Sequence, residues 1–268
     1  MIGNLAYLYL ISPLHTGGTT QEGNLLGIAR ESHTDLPYIP SSTIRGRLRA
    51  SVKEEEERSR LFGKSLDDGQ ELTQGDLWIG DGSILWLPVP SLSHGVVWIS
   101  CPLLLQRWQR LNAQVDADIP DAYSTNLGNQ SPIYLKDAIL KTDDLHAWEN
   151  WQAFVPAGEQ TNSIRRALVL PDQHCATLIQ MCLWRQVKVK LDAHKSVQGG
   201  FRYEEAIPPD TLMYFPWGMT VQANGTADQS YADSYADFTV LLEENALVQI
   251  GGQESLGRGF VQQWYASA

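Results

Sequence analysis

The sequence has few of the features that mark secreted, membrane-spanning or metal-stabilised proteins. Its 268 residues include three cysteines, Cys101, Cys175 and Cys182, and none of them forms a Cys-x-x-Cys pair. This spacing argues against a disulfide framework and against a structural zinc site. The apolar run at residues 5–14 is too short to cross a bilayer, and no basic segment precedes it. We therefore expect a cytoplasmic protein with no metal site and no membrane partner.

Positive charge is also scarce. The formal net charge is −11 and the sequence pI is about 4.9, which argues against binding nucleic acid through the overall field. Two segments depart from this balance. Residues 41–65 carry seven basic and four acidic side chains, and residues 185–202 carry five basic and one acidic. Two basic segments in an acidic body predict a polyanion track on one face, with other surfaces left for subunit contacts.

Residues 30–49 have the pattern of a phosphate-binding helix with an extended entry. We place Ser41, Ser42 and Thr43 at the N-cap. Apolar and basic residues then form two stripes of a helix. The apolar stripe is Ile44, Leu48 and Val52, and the basic residues are Arg45, Arg47, Arg49 and Lys53. Gly46 costs a helix interior about 1 kcal/mol relative to alanine, so it predicts close approach of another backbone. A solvated amphipathic helix explains the same stripes equally well.

The remaining periodicities predict an α+β fold. The first helix continues to a C-cap at Gly63, and further helices begin at Pro102 and Asp172. Alternating residues predict a hairpin at about 185–207 with Lys188 and Lys190 on one face. Other strands are expected at residues 83–90, 96–101, 211–215, 238–242, 246–250 and 260–264. Residues 112–162 are poorly patterned and are interpreted as an insertion. The glycine-rich loop at residues 251–259 matches neither common nucleotide-binding spacing.

Several of these segments together resemble one family. They are Leu14-His15 with its glycine loop, Arg30-Glu31, residues 36–49, residues 61–63, residues 88–91, residues 97–102, residues 195–205 and residues 250–260. In order and spacing they resemble the backbone subunit of Cmr-type (type III-B) CRISPR effector complexes, within the repeat-associated mysterious protein (RAMP) superfamily. The resemblance covers roughly residues 5–110 and 185–264. Residues 88–102 are more specific to this subunit than the other segments.

This resemblance implies a single domain over residues 1–268. Its palm would be a modified RRM-like (ferredoxin-like) fold with loop and helical insertions, and the hairpin at about 185–207 would be its thumb. Copies of the chain would stack along a CRISPR RNA (crRNA), admit complementary target RNA and contact other type III subunits. The basic pattern and the resemblance together predict RNA contacts at His15, Gly17, Gly18, Arg30, Ser41, Ser42, Thr43, Arg45, Gly46, Arg47, Arg49, Lys188, Lys190, Lys195, Gly257, Arg258 and Gly259.

One departure from the family pattern concerns cleavage. Active relatives resemble one another in a Gly-x-x-Asp-x-Pro-Ile-x-Arg-Glu segment, whose aspartate is catalytic. Counting back five residues from Arg30 places Leu25 at that position, with Asn24 and Glu22 as polar neighbours. Neither leucine nor asparagine can act as a general base. The expectation is therefore a scaffold that binds crRNA and target RNA with weak or no target-RNA cleavage.

Two alternatives stay open on the sequence alone. The first is an active endoribonuclease that uses a displaced acid, Glu22 or Asp35, or His15; magnesium is expected only if cleavage is retained. The second is a protein-interaction domain that docks partners through its acidic surface and binds no RNA. The two alternatives differ in whether guide-length RNA accompanies the purified protein.

Overall fold

The computed structural model describes residues 4–22, 25–64, 73–112, 115–128, 130–220 and 229–266. Its helices are α1 Ser41–Ser51, α2 Glu55–Phe62, α3 Pro102–Leu111, α4 Asp172–Cys182 and α5 Gln229–Glu244. Its strands are β1 Asn4–Leu10, β2 Gly17–Glu22, β3 Leu25–Ile28, β4 Tyr38–Ile39, β5 Leu77–Ile79, β6 Gly82–Ser91, β7 Gly95–Ser100, β8 Ser124–Thr125, β9 Ile133–Leu135, β10 Ala138–Leu140, β11 His146–Ala147, β12 Ala167–Val169, β13 Trp184–Leu191, β14 Val197–Ala206, β15 Leu212–Met219, β16 Leu247–Gln249 and β17 Phe260–Ala266.

The palm is a four-stranded antiparallel core extended on both sides. The order β6-β15-β1-β17 runs through its centre, with β1 between β15 and β17. Helix α1 follows β1 and helix α5 connects β15 to β17. This order and these crossings are those of the ferredoxin-like β-α-β-β-α-β unit. The α+β, RRM-like fold predicted from the sequence is confirmed.

Strand alternation gives the palm sheet two buried faces. In β1, Ala6, Leu8 and Leu10 pack into the core that contains Ile44, Leu48 and Phe238 of α1 and α5. The alternate residues, Tyr7 among them, enter a second core rich in aromatic side chains. That core contains Trp86, Trp108, Phe154 and Tyr214. The sheet face opposite α1 and α5 is therefore closed by α3 and by the segment that follows it.

The segment after α3 consists of short strands and 3-10 turns. Strands β8 and β11 extend the palm sheet beyond β12, while β9 pairs with β10 and meets β6 at Ser91. Trp148 and Phe154 from this segment lie against each other, with ring centroids 5.6 Å apart, and Trp148 lies 6.3 Å from Trp86. The assignment of residues 112–162 as an insertion stays a prediction.

The thumb hairpin, β13 with β14, belongs to a separate four-stranded sheet in the order β13-β14-β3-β2. Strand β14 runs parallel to β3, and β3 forms an antiparallel hairpin with β2. Gly17 and Gly18, expected in a polar loop, lie instead in β2. A Cβ atom at Gly18 would lie 2.8 Å from the carbonyl carbon and oxygen of Ile28, so this close strand pairing requires glycine.

Two further element predictions were wrong. The helix expected from Ser42 to Gly63 is broken after Ser51, and α2 begins at Glu55. This break places Glu55, Glu56 and Glu57 in the first turn of a helix, where the helix dipole stabilises acids. The strand expected at residues 238–242 is part of α5, because Ser234, Phe238, Leu241 and Leu242 are buried at helical spacing. Gly63 caps α2 with φ 76°, as predicted.

Candidate nucleic-acid interface

The base of the thumb is held by two consecutive buried glutamates that point to opposite faces of β14. Glu204 forms ion pairs with Lys188 (2.8 Å), Arg202 (2.9 Å) and Arg258 (3.2 Å). Burial alone would raise the pKa of the Glu204 carboxyl, but the hydrogen bond and charge of Lys188, with the charges of Arg258 and Arg202, lower it below its usual value. Three cations on one carboxylate leave a net positive charge on this face.

Glu205 anchors the other face of β14. Its carboxylate lies 2.7 Å from Nη2 of Arg30 and 2.9 Å from Nε of Arg185. Arg30 also donates to the side chain of Gln180. The backbone carbonyl of Glu205 accepts a hydrogen bond from Nδ1 of His15, at 2.8 Å. These contacts tie the thumb to the segment after β3, to α4 and to the loop after β1.

A cleft of about 690 Å³ opens on the Glu205 side of the thumb. We define the cleft by its lining residues Gly17, Gly18, Leu25, Gly27, Ile28, Ala29, Arg30, Glu31, Ser32, Asp35, Tyr38, Pro40, Gln180, Arg185 and Glu205. Leu25 contributes an apolar wall, and Asp35 is an exposed carboxylate with φ 58° at the rim. Glu31 is already paired with Arg107, 2.9 Å away.

A second, smaller groove lies beside α1. It has a volume of about 410 Å³, and we call it the α1 groove; its lining residues are Gly17, Ser42, Thr43, Gly46, Arg47, Ala50, Gln249, Ile250, Gly251, Gly252 and Glu254. Gly46 and Arg47 are exposed, and no heavy atom lies within 4 Å of a Cβ built on Gly46. The close backbone approach expected at Gly46 is therefore absent within the described chain. Gly17 lines both the α1 groove and the cleft, so the two are neighbours.

The arginines of α1 separate into two functional sets. Arg47 faces the α1 groove and forms no ion pair with any residue that the structure describes. Arg45 instead donates to the carbonyl oxygens of Phe62 and Leu77 and lies over the Phe62 ring, 5.5 Å from its centroid. Arg49 donates to the carbonyl of Gly63, at 2.7 Å. Burial, and then the charge of Arg49, lowers the pKa of Arg45. Arg45 and Arg49 thus hold the C-terminal end of α2.

The N-terminus of α1 differs from the predicted cap. The N-cap residue is Pro40, and none of the three hydroxyl residues caps the helix through its side chain. The amide of Ser41 donates to the Asp81 carboxylate, at 2.6 Å. Ser42 and Thr43 follow in the same turn and line the α1 groove. The reason is the proline at position 40, which takes the N-cap position, so that the helix begins at Ser41 and the hydroxyl residues lie inside its first turn.

Three other predicted RNA contacts are buried or constrained. Arg258 is 4% exposed and lies over the Trp184 ring, 4.5 Å from its centroid. Gly259 adopts φ 80°, and a Cβ there would clash with the carbonyl oxygen of Ile250. His15 is also buried, with its Nδ1 bonded to Glu205. Lys190, Lys195 and Gly257 are exposed, and Lys188 is drawn to Glu204.

Some functional residues were missed by sequence reasoning. Glu204 and Glu205 were only part of a quoted motif, and Asp81 and Gln180 were not singled out. A pair of adjacent acids at the end of a basic strand was the available signal, because buried acids need cationic partners. Of the residues proposed near the missing carboxylate, Asn24 lies outside the described residues, as does the side chain of Glu22. Leu25 lies in β3 and pairs with Glu22 and Tyr203.

Comparison of the sequence with models of protein families identifies the family to which the chain belongs. The model described as "RAMPs: RAMP superfamily" matches residues 7–262. The chain belongs to the RAMP superfamily. A RAMP relative, the CRISPR system Cmr endoribonuclease Cmr4 of Pyrococcus furiosus, is 29% identical over 96% of this chain and 94% of its own length. The resemblance drawn from the sequence motifs is confirmed.

Solved RAMP structures show the same fold. The crystal structure of oligomeric Cmr4 from Pyrococcus furiosus has a TM-score of 0.73 and 24% identity, covering 100% of this chain and 99% of that one. The cryo-EM structure of the type III-B Cmr-beta complex bound to cognate target RNA contains a chain with a TM-score of 0.76 and 18% identity, covering 99% of this chain and 97% of that one. At these identities the likeness concerns the fold alone.

Two further findings bear on the RAMP chain's chemistry. Within the described residues, no group of three or more His, Cys, Asp or Glu side chains is placed to hold a metal ion. In the cleft, Glu31 and Glu205 are already bound by arginines, which leaves Asp35 as the open carboxylate among the described lining residues. The described donors therefore do not fit a magnesium site. No helix in the described part of the chain is long and apolar enough to span a membrane.

Proposed function

We propose that this chain is the repeating backbone subunit of a type III-B CRISPR effector complex, where it binds crRNA and admits target RNA. The observation that carries the proposal is the open α1 groove, where Arg47 and Gly46 face solvent beside the glycines of the β16–β17 loop. A guanidinium without an ion-pair partner in the described chain, beside the Ser42 and Thr43 side chains, suits a phosphate backbone read without sequence preference. The relationship to Cmr4 and to a chain of the Cmr-beta complex supports this proposal.

The second part of the proposal is that target RNA is cut weakly or not at all. Leu25 lines the cleft, and the motif spacing predicts that it stands at the position of the family's catalytic aspartate. A leucine side chain neither accepts a proton nor binds a cation. The cations nearby, Arg30 and Arg185, share the single carboxylate of Glu205. The cleft therefore receives target RNA without supplying a base.

The proposed partners are crRNA, target RNA, further copies of this chain and other type III effector subunits. A Cmr4 relative has been solved as an oligomer, which supports self-association. The exposed thumb provides a projecting element for such contacts. If the chain were a protein-interaction domain without RNA, the purified complex would contain no guide-length RNA. Extraction and sizing of the nucleic acid in that complex separates the two functions.

The cleavage test uses the assembled complex, labelled complementary RNA and magnesium. The scaffold function predicts intact RNA that is retained on the complex. Products at regular intervals along the target would overturn it. A catalytically competent relative in the same buffer is the control, because it shows that the assay detects cutting.

A second candidate function, target-RNA endoribonuclease, is favoured by the position of Asp35. This carboxylate is 70% exposed and lines the same cleft as Leu25, 3.9 Å from Arg30. Asp35→Asn should abolish any cutting if Asp35 is the base, whereas Glu22→Gln should do so if Glu22 is. Magnesium would be a cofactor only in this case. His15 is not favoured, because its ring is buried and its Nδ1 is bonded to the backbone.

A further inference from the structure

Two of the three cysteines lie where two helices begin side by side. Strands β7 and β12 are parallel neighbours in the palm sheet, and β7 leads into α3 while β12 leads into α4. Cys101 is the N-cap residue of α3, and Cys175 lies in the first turn of α4. The amide of Leu103 donates to the Asp172 carboxylate, at 3.0 Å, and this hydrogen bond ties the two helix N-termini together.

The thiols of Cys101 and Cys175 are in contact inside the core. Both are free thiols of the same apolar core, 2% and 0% exposed. The hydrogen bond between the two thiols, and then burial, raises the pKa of Cys175. Sulfur atoms that already touch need little movement to form a covalent bond of about 2 Å, whereas cysteines more than about 7 Å apart at Cα cannot be bridged without moving the backbone.

A pocket connects this pair to solvent. Its volume is about 390 Å³, and Cys101 lines it together with Asp35, Asp172 and Ala176. Cys175 does not line this pocket. A small oxidant that enters the pocket therefore meets the Cys101 sulfur first, and the Cys175 sulfur is in place to react with the product.

From this arrangement we infer that Cys101 and Cys175 form a site of reversible oxidative modification, which hydrogen peroxide converts to a disulfide. The Cys101 sulfur attacks one peroxide oxygen and breaks the O–O bond, which gives a sulfenic acid and one water molecule. The Cys175 sulfur then attacks the Cys101 sulfur, loses its proton and expels a second water molecule. Two thiols lose two electrons in total, and one peroxide is reduced to two water molecules. A dithiol reductant reverses the reaction by thiol–disulfide exchange.

The disulfide would join the two helices that hold the segment after β3. Arg107 of α3 forms an ion pair with Glu31, at 2.9 Å. Gln180 of α4 bonds to the side chain of Arg30 and to the carbonyl oxygen of Asp35. The bridge closes a loop of about 75 residues, and crosslinks over long loops restrict the unfolded chain most. The oxidised chain should therefore be the more stable form, whether or not it binds RNA.

The test counts free thiols in the full chain, denatured after treatment with hydrogen peroxide. The wild type should fall from three thiols to one, and dithiothreitol should restore all three. Cys175 and Cys182 lie on one tryptic peptide, residues 167–185, so Cys182→Ser is the variant used to locate the bridge. In this variant mass spectrometry should find residues 65–107 joined to residues 167–185, with no free thiol left.

Thermal unfolding provides a second measurement. The peroxide-treated chain should unfold about 5–10 °C above the same chain reduced with dithiothreitol. Cys175→Ala removes one partner and should show no such rise. Cys182→Ser is the matched control and should keep the full rise, because Cys182 is only partly buried and takes no part in the bridge. Circular dichroism establishes that each variant is folded, and the bridge is located without Cys175→Ala.

Three results would overturn the inference. The first is three free thiols in the wild type after peroxide treatment. The second is a bridge that involves Cys182 or a second copy of the chain. The third is Cys101 oxidised to a sulfinic acid with no bridge to Cys175. Because these readouts use the chain without RNA, each of these results leaves the proposed function standing, and a failure to bind RNA leaves the thiol pair standing.

Discussion

The α1 groove and the cleft share Gly17 but differ in what their arginines already bind. In the cleft, Arg30 and Arg185 both contact the buried Glu205 carboxylate. In the α1 groove, Arg47 has no carboxylate partner in the described part of the chain. A phosphate can therefore approach Arg47 without breaking an existing contact, whereas in the cleft it must compete with an ion pair. The α1 groove and the cleft are therefore neighbouring surfaces with different chemistry.

The largest difference between the two surfaces should come from placing a carboxylate in the cleft. Leu25→Asp places an acid in the cleft that Arg30 also lines, at the position where the motif spacing predicts the family's catalytic aspartate. We expect target-RNA cutting to rise by about 100-fold over the wild-type background, the lower end of general-base contributions. The measurement is gel analysis of labelled target RNA with the assembled complex and magnesium.

Leu25→Asn is the matched control for that variant. Asparagine has nearly the same volume as aspartate, but its amide cannot take up a proton at neutral pH. Equal cutting by both variants, or none by Leu25→Asp in a complex that still binds target RNA, would show that the cleft lacks more than its carboxylate.

Removing the charge of Glu204 should destabilise the base of the thumb. Glu204→Gln leaves Arg258 buried without its counter-charge, and breaking such a pair costs about 3 kcal/mol of unfolding free energy. Since the pKa of Glu204 is lowered in the fold, its contribution is present above the ordinary carboxyl pKa and is lost as pH falls through the lowered value. The free energy of unfolding, measured with denaturant at several acidic pH values, should fall less steeply with falling pH in the variant than in the wild type.

The control for Glu204→Gln is Glu254→Gln, an exposed acid at the rim of the α1 groove. Its unfolding free energy should stay within about 0.5 kcal/mol of the wild type, as for most surface changes. An equal loss of unfolding free energy in both variants would show that the buried Glu204 ion pairs stabilise the fold no more than a surface acid does.

The arginines of α1 provide a comparison within one helix. Arg47→Ala should weaken RNA binding several-fold and reduce the salt slope by about one, with unfolding free energy unchanged. Arg49→Ala should do the opposite, losing about 1.5 kcal/mol of stability with its hydrogen bond to Gly63 and little RNA affinity. Filter binding at several salt concentrations and denaturant unfolding measure the two effects. If Arg49→Ala lost RNA affinity and Arg47→Ala lost stability, Arg49 would be the RNA contact and Arg47 the structural residue.

Gly46 gives the smallest expected effect. The space beside it is open in the chain, so Gly46→Ala should stabilise α1 by up to about 1 kcal/mol. The added methyl group would face the α1 groove, where we expect a two- to threefold loss of RNA affinity. Ala50→Gly, on the same groove one turn later, is the converse control. Higher stability with unchanged RNA affinity would place the backbone of the RNA further from α1.

The sequence predicted the palm well because its strands alternate and its family motifs are local. It missed contacts and elements that a distant partner decides. Arg45 and Arg49 form a basic stripe in the sequence, yet carbonyls at the end of α2 bind them. Residues 238–242 have strand propensity, but burial of Ser234 and Phe238 on one side favours a helix. For Gly17 and Gly18, pairing with β3 turned an expected loop into a strand.

Glu204 and Glu205 have a mechanical consequence for the thumb. Neighbouring residues of a strand face opposite ways, so one carboxylate fastens the hairpin to the β16–β17 loop. The next fastens it to Arg30 after β3 and, through Arg30, to α4. Bending the hairpin in either direction must stretch one of the two attachments. The two attachments therefore resist bending of the hairpin in both directions. Its stiffness is set at the root of the hairpin, in residues far from its tip.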